Sequence, residues 1–403
     1  MESNTLLPKI KIDYFSLGLI CSLLILFLVA EKSVFAEIDN ALPVYLISVL
    51  NIIFMMGYLY KFGLPKRFLK GLFMAIVSYI LFLSFYSALT DIANFKYAFR
   101  IFNYMSLLLL FSLAYLNERK LIFIGIIFSI VPLTLILDWL SSIETIKYAG
   151  YFRNPNTLGI VVYNIFFFQL LMLFAIKNKI IKLIVLLLLL IDLILLYVST
   201  SRSVWIAIIV AFVIYISYNV FSKYKISYRL GFIITLLSVI TFSYFYPRLY
   251  TMELGRKINS LVIEYTGKNL FSGRQIIWSD LIQLIEKKPL LGYGLSATAY
   301  NFAQTNHDAH NVILSILFQS GIIGLLLYSL MLYFLWDALY IEKNTSFNKN
   351  LLKLFPSFFI GLLVYQSFEM SFIKGGYSIS MFEWLFVAIG ISLIKKYNSN
   401  TPR

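Results

Sequence analysis

A chain of 403 residues that is 60% apolar and only 13% charged, with a mean hydropathy of +0.84, carries more apolar surface than one water-soluble core can hide, which excludes the soluble class. The net charge of +15 does not point to nucleic acid, because the basic residues lie in short connections between apolar runs, where they report membrane orientation. The single cysteine, Cys21, excludes an intramolecular disulfide and a cysteine-based metal site.

Runs long enough to cross about 30 Å of hydrocarbon, roughly 17 to 25 residues each, fall near residues 14–30, 41–60, 71–90, 100–116, 121–139, 157–176, 180–198, 203–221, 230–246, 312–340, 351–372 and 378–394. The predicted fold is an all-α integral membrane protein of about twelve transmembrane helices. It forms a single polytopic domain over residues 1–403, without internal repeats. Lys9 and Lys11 before the first run, and Val34-Phe35-Ala36 after it, give the outline of a signal peptide. Tyr14 to Ala30 is longer than the usual apolar region of such a peptide, so it is read as a span.

With the N-terminus in the cytoplasm, 20 of the 34 Lys and Arg residues fall on the inner side, and seven of the other 14 belong to one long connection that is exempt from the positive-inside rule. Both termini are therefore predicted to be cytoplasmic. The other face holds Arg100, Arg153, Arg202, Arg248, Arg256 and Arg274, six of the ten arginines, and the planar fork of arginine suits phosphate better than the point charge of lysine. The long connection, residues 247–309 between the ninth and tenth spans, is predicted to be extracytoplasmic. Its spaced apolar residues, Ile276, Ile277, Leu281, Ile282 and Leu284 among them, predict a small amphipathic helical cap.

Both histidines stand at the end of that cap, in Asn306-His307-Asp308-Ala309-His310-Asn311. His310 is predicted to begin the tenth span, with Asp308 or Asn306 capping the helix. An imidazole there has three readings: a general base, an interfacial capping residue, or part of a metal site with His307 and Asp308. Gly321 and Gly324, further along the span, are spaced to let one helix lie close against another. Ser199-Thr200-Ser201-Arg202 opens a helix on the outer side, where free amides and a guanidinium make an anion site; the plainer reading is a snorkelling anchor. Arg274 serves either a ligand or an ion pair with Asp280 or Glu286. Gly150-Tyr151-Phe152-Arg153-Asn154-Pro155-Asn156 offers sugar-binding groups or a helix cap. Asp192 in mid-span, and Glu369, Lys374 and Glu383 near the last outer loop, are ionisable groups in or beside apolar segments that call for partners; Glu369 with Lys374 reads as a structural pair.

His310-Asn311 followed after nine residues by Gly321-Ile-Ile-Gly324 resembles the signature of the bacterial O-antigen ligase and polymerase superfamily, in its repeat-unit polymerase form. Gly273-Arg274-x-x-x-Trp278 and Pro289-Leu-Leu-Gly292-Tyr-Gly294 resemble what precedes that histidine in the family, and Ser201-Arg202-Ser203 resembles its other arginine motif. Together these cover about residues 150–340; the first 140 match only as generic spans.

The resemblance implies a metal-independent, inverting glycosyltransferase with no cofactor, acting on undecaprenyl-diphosphate-linked oligosaccharide in the bacterial cytoplasmic (inner) membrane. It implies polymerisation of repeat units of O-antigen, capsule or exopolysaccharide, with a chain-length regulator and a flippase as partners and no nucleic acid. His310 would be the base, with Arg202 and Arg274 holding diphosphate. Asn311, Arg153, Asn154, Asn156, His307, Tyr293 and Trp278 are the expected substrate-binding residues. A ligase that moves finished glycan to another envelope acceptor is the first alternative, and a lipid-linked oligosaccharide flippase or transporter the second.

Overall fold

The computed structural model describes residues 70–398, apart from 91–94, 113–115, 143–146, 153, 268, 303–307, 344, 346 and 375–376, and the isolated positions 49, 53, 56 and 60. The expected span at 14–30 lies outside the described residues, as does 41–60 except for those four positions; so do Arg153 and His307. Among the described residues the elements are helices, numbered in chain order: α1 (Lys70–Thr90), α2 (Phe95–Ser112), α3 (Glu118–Ser141), α4 (Pro155–Ala175), α5 (Lys179–Ser199), α6 (Arg202–Phe221), α7 (Lys225–Thr251), α8 (Glu253–Thr266), α9 (Arg274–Lys287), α10 (Ala299–Phe302), α11 (Val312–Ala338), α12 (Lys349–Tyr365), α13 (Ser371–Lys374) and α14 (Tyr377–Asn398). Every expected span from 71–90 onward overlaps one of them, although α12 ends at Tyr365, well short of the expected 351–372, and among the described residues seven helices are long and apolar enough to cross a membrane: α1, α3, α4, α5, α6, α7 and α11. The chain is an all-α integral membrane protein.

Asparagine sets many of the boundaries. Asn117, Asn154, Asn178, Asn311 and Asn348 each stand just before a helix and accept a first-turn amide with the side-chain oxygen, supplying a partner that the helix lacks at that end. Helix α4 is apolar all round and buried nearly all round, as a central helix should be. It packs against α3 and α5, while α12 lies along α6 and α14 along α2. Helices α5, α6 and α7 turn leucine, isoleucine and phenylalanine outward. Asp192 on α5 is buried with neither carboxylate oxygen hydrogen-bonded, so the partner expected of it is not found among the described residues.

Helices α7 and α11 are riveted together at the end of the bundle away from His310. Tyr228 and Trp336 stack with centroids 4.1 Å apart and exchange hydrogen bonds with each other's backbone, and Arg229 makes a forked pair with Asp337 at 2.8 and 3.1 Å. At the His310 end the same two helices carry the cap. The expected connection begins at 252 rather than 247, since α7 runs on to Thr251, and its described residues include the helices α8, α9 and α10. A hydrophobic cluster of Trp278, Leu281, Phe271 and Ala297 with Tyr246 of α7 and Leu314 and Phe318 of α11 seats α9 on the bundle. Trp278 lies fully buried at its centre, 4.6 Å from the Tyr246 ring.

Gly321 does not serve a close helix–helix crossing. It breaks α11, with φ 63° and ψ −164°, a conformation essentially confined to glycine. The break frees amides and carbonyls that an unbroken helix would pair internally, and Pro289-Leu-Leu-Gly292-Tyr-Gly294 takes them. Ile322 N–H donates to Pro289 O at 2.8 Å, while Tyr293 and Gly294 N–H donate to Phe318 and Gln319 O at 2.9 and 3.0 Å. The two glycine motifs thus form one backbone-to-backbone joint. A Cβ at Gly321 would sit 2.2 Å from Leu290 O, and one at Gly292 2.6 Å from Phe318 O. Gly321→Ala is expected to cost about 1–3 kcal/mol in backbone strain alone and to lower the thermal unfolding midpoint in detergent. Gly231→Ala, at a helical site on α7 with nothing within 4 Å, is its neutral control. Equal midpoints for the two variants would remove the joint from the account of the fold.

Candidate active site

Helices α4, α6, α9 and α11 place their N-termini at the capped end of the bundle, and the residues that open them reach one another there. N-terminal amides favour anions, so this end is predisposed to bind phosphate.

Helix α11 starts at Val312. Its cap is Asn311, whose Oδ1 accepts from Leu314 N–H at 2.9 Å; Asp308 instead accepts from the amide of Ala309. The expectation that Asp308 or Asn306 caps this helix is therefore corrected, because the helix begins two residues after His310 and the nearest asparagine takes the position. His310 stands just outside, with φ 47°, a left-handed backbone that a non-glycine residue adopts only where its surroundings enforce it. Two stitches enforce it. Trp278 Nε1–H donates to Ala309 O at 2.7 Å, and the segment after α12 holds Val312 and Asn311: Val312 N–H donates to Gln366 O at 3.0 Å, and Asn311 Nδ2 to Ser367 O at 2.9 Å.

The second stitch also delivers Glu369. Its Oε2 accepts from His310 Nδ1 at 2.8 Å, and its Oε1 accepts from Arg274 Nη2 at 2.8 Å and from Asn156 Nδ2 at 3.0 Å. One carboxylate, 13% exposed, therefore joins α4, α9 and the approach to α11. The Arg274 pairing with Asp280 or Glu286 is corrected accordingly: Arg274 pairs with Glu369, which also accepts from His310 and Asn156, and Glu286 accepts from Tyr244, while the expected Glu369–Lys374 pairing falls on a side chain that is not described.

A carboxylate is an acceptor only, so Nδ1 of the imidazole carries the proton and Nε2 keeps its lone pair. The hydrogen bond that His310 donates to Glu369 raises the pKa of the imidazole above the usual histidine value, against the lowering effects of burial and of the Arg274 charge. The His310 side chain is 40% exposed, which leaves the ring open to a ligand.

Arg202, the first residue of α6, donates from Nη2 to Asn269 O at 3.1 Å and to Ser272 Oγ at 2.7 Å. It thus touches the loop that turns through Gly273 into Arg274. Both arginines and the histidine belong to one connected site. The turn before Arg202 packs on α4, where a Cβ on Gly159 would meet Ser201.

The other expected binding residues divide. Asn156 reaches the site, whereas the Asn154 side chain is occupied in capping α4. Trp278 and Asn311 are fully buried and act on the site by holding the His310 backbone. The Tyr293 ring stacks on Phe318, with the Lys288 ammonium 4.7 Å from its centroid. Glu369 was singled out in the sequence as an acid beside a span but read as a structural pair with Lys374, and its place at the site was missed; the rule that such acids have functional partners was the one available signal.

Met370, next in the chain to Glu369, and Val312, two residues after His310, help to line a cleft. Leu83 of α1, Tyr97 and Arg100 of α2, Val312 and Ile316 of α11, and Met370 line it, so that its wall is mainly apolar with one guanidinium.

Replacing Glu369 tests this geometry. The base must be neutral to act, so the rate should rise with pH through the pKa of His310, which Glu369 holds high. Glu369→Gln should therefore move the acid limb of the rate profile to lower pH. It should also cut the plateau by about 10²-fold or more, since an amide can present its NH2 to Nδ1 and reverse the tautomer. Glu369→Asp keeps the charge and should recover part of the loss. An unmoved acid limb in Glu369→Gln would show that the carboxylate does not act through His310.

No curated protein sequence matches the chain. The family model described as O-antigen ligase matches residues 184–329, from within α5 through most of α11, a stretch that contains Arg202, Arg274 and His310 and stops short of Glu369. Over residues 184–329 the chain is thus similar to the O-antigen ligase family, and its long apolar helices are those of a multi-pass membrane protein.

Proposed function

We propose that the protein polymerises lipid-linked polysaccharide repeat units, transferring a growing glycan from undecaprenyl diphosphate to a sugar hydroxyl of the next lipid-linked unit. The observation that carries this reading is the His310–Glu369–Arg274 constellation, a base oriented by a carboxylate with an arginine fork at the same carboxylate. His310 Nε2 takes the proton of the acceptor hydroxyl, whose oxygen attacks the anomeric carbon. The bond from that carbon to the diphosphate oxygen breaks, and its electron pair leaves with the diphosphate. Arg274 and Arg202, with the amides of α6 and α9, neutralise the charge that grows there. In-line attack inverts the anomeric configuration, and the guanidinium groups take the part that a divalent ion has in many sugar transfers.

The mainly apolar cleft lined by Val312 and Met370 suits an acceptor that itself arrives on a lipid, and this supports polymerisation as the first reading. Transfer of finished glycan to another envelope acceptor is the second reading, favoured by the description of the matching family. We place the capped end at the outer face of the bacterial cytoplasmic membrane, with both termini inside, on the distribution of Lys and Arg.

The test uses purified protein in proteoliposomes with one undecaprenyl-diphosphate-linked repeat unit. A ladder of longer chains with inverted linkages, undiminished by excess EDTA, is expected. Product that forms only when a different acceptor is added would assign the ligase reaction. Loss of activity on chelation, restored by Mg²⁺ or Mn²⁺, would overturn the role given to the arginines.

A further inference from the structure

Helix α8 follows α7 with only Met252 between them, and its surface divides into three stripes. Gly255 is buried and Asn259 and Val262 half-buried, at the spacing of four and three residues that makes one helical face. This face meets the protein. It comes so close that a Cβ on Gly255 would lie 1.7 Å from Leu249 O in the last turn of α7. Glu253, Lys257, Ser260 and Glu264 form a second, exposed polar face, with Lys257 and Glu253 paired at 2.7 Å. The third face consists of Leu254, Ile258, Leu261 and Tyr265, which are 64, 42, 53 and 82% exposed. An apolar stripe of this regularity, turned away from the protein along its whole length, requires an apolar surface to lie on.

Position supplies the surface. Helix α7 has 27 residues and is therefore roughly 40 Å long, enough to cross the hydrocarbon and end at its boundary. Its outward residues, Ile234, Leu237 and Phe245, lead through Tyr250 and Met252 to Leu254, so that the stripe on α8 continues the lipid-facing surface of α7.

We propose that α8 is a membrane-surface helix whose Leu254–Ile258–Leu261–Tyr265 stripe docks on the lipid at the His310 end of the bundle. The docking has a consequence for the site. Asn259 Oδ1 accepts from Leu270 N–H at 2.8 Å, and the loop so held is the one whose Asn269 and Ser272 bind Arg202. A helix seated in the interface thereby sets the arginine loop at the depth of lipid phosphates, where a lipid-borne diphosphate lies. The docking rests on the faces of α8 and not on the proposed reaction, so each stands or fails separately.

Spin labels on the full-length protein in lipid nanodiscs test it. In a Cys21→Ser background, labels are placed at Leu261→Cys on the apolar stripe and at Ser260→Cys on the polar face. The label at position 261 should be several-fold more accessible to oxygen than to a water-soluble nickel chelate, and the label at 260 should show the reverse. Nickel access at both positions would put the stripe in water, and shielding of position 261 from both reagents would mean that protein covers it; either result overturns the proposal.

Discussion

Replacing His310 by alanine is expected to lower chain growth by about 10²- to 10⁴-fold, the usual contribution of a general base. Binding of the lipid-linked donor should survive, because the groups assigned to the diphosphate, Arg202 and Arg274, lie on other helices and keep their own contacts with Ser272 and Glu369. The fold should survive too. Asn311 and not His310 caps α11, and the His310 loop is held through its backbone by Trp278, Gln366 and Ser367. His307→Ala, outside the described residues, should retain most activity, since only His310 has the spacing to Asn311 and the Gly321 break. Single-turnover assays with donor-binding measurements separate the outcomes. An active His310→Ala variant would refute the mechanism, and equal losses from both substitutions would show that the histidines work as a pair.

The spans were legible because a run of twenty apolar residues has one physical use, and the start of α4 was legible because asparagine and proline before such a run have a local job. The gathering of His310, Arg202 and Arg274 was expected only from the family resemblance of the motifs that hold them. Three features depended on tertiary contact and were not legible. Glu369 lies 59 residues beyond His310, and nothing local shows that the segment after α12 folds back onto the start of α11. Gly321 and Gly324 have the spacing of a helix crossing, and the same spacing admits a break whose freed carbonyls and amides are taken by another loop. Trp278 resembles a sugar-stacking residue in sequence; its burial against Tyr246 and its bond to Ala309 make it a support for the His310 backbone. In each case a residue type allowed two uses, and a contact supplied from far along the chain decided between them.

Arg274→Lys is expected to lower turnover by about 10²- to 10³-fold, the cost of removing a donor that acts on charge developing in the transition state. Lysine keeps the positive charge, and its ammonium can still pair with Glu369, so insertion, purification and thermal unfolding should match the parent protein. What it lacks is the planar fork: one arm of Arg274 is engaged by Glu369 while its plane lies over Phe368, 6.0 Å from the ring centroid, leaving the remaining donors to meet two phosphate oxygens together. Since the charge on the leaving oxygen grows as the bond breaks, the loss should fall mainly on kcat and less on KM. Arg202→Lys should behave alike if Arg202 also grips the diphosphate. Its two contacts with the Asn269–Ser272 loop make a purely structural role the competing account, and Ser272→Ala separates the two by loosening that contact while leaving the guanidinium in place. Chain growth close to the parent rate in Arg274→Lys would reduce the arginine to a tether for Glu369, and a matching loss of thermal stability in Arg202→Lys and Ser272→Ala would reduce Arg202 to a tether for the loop.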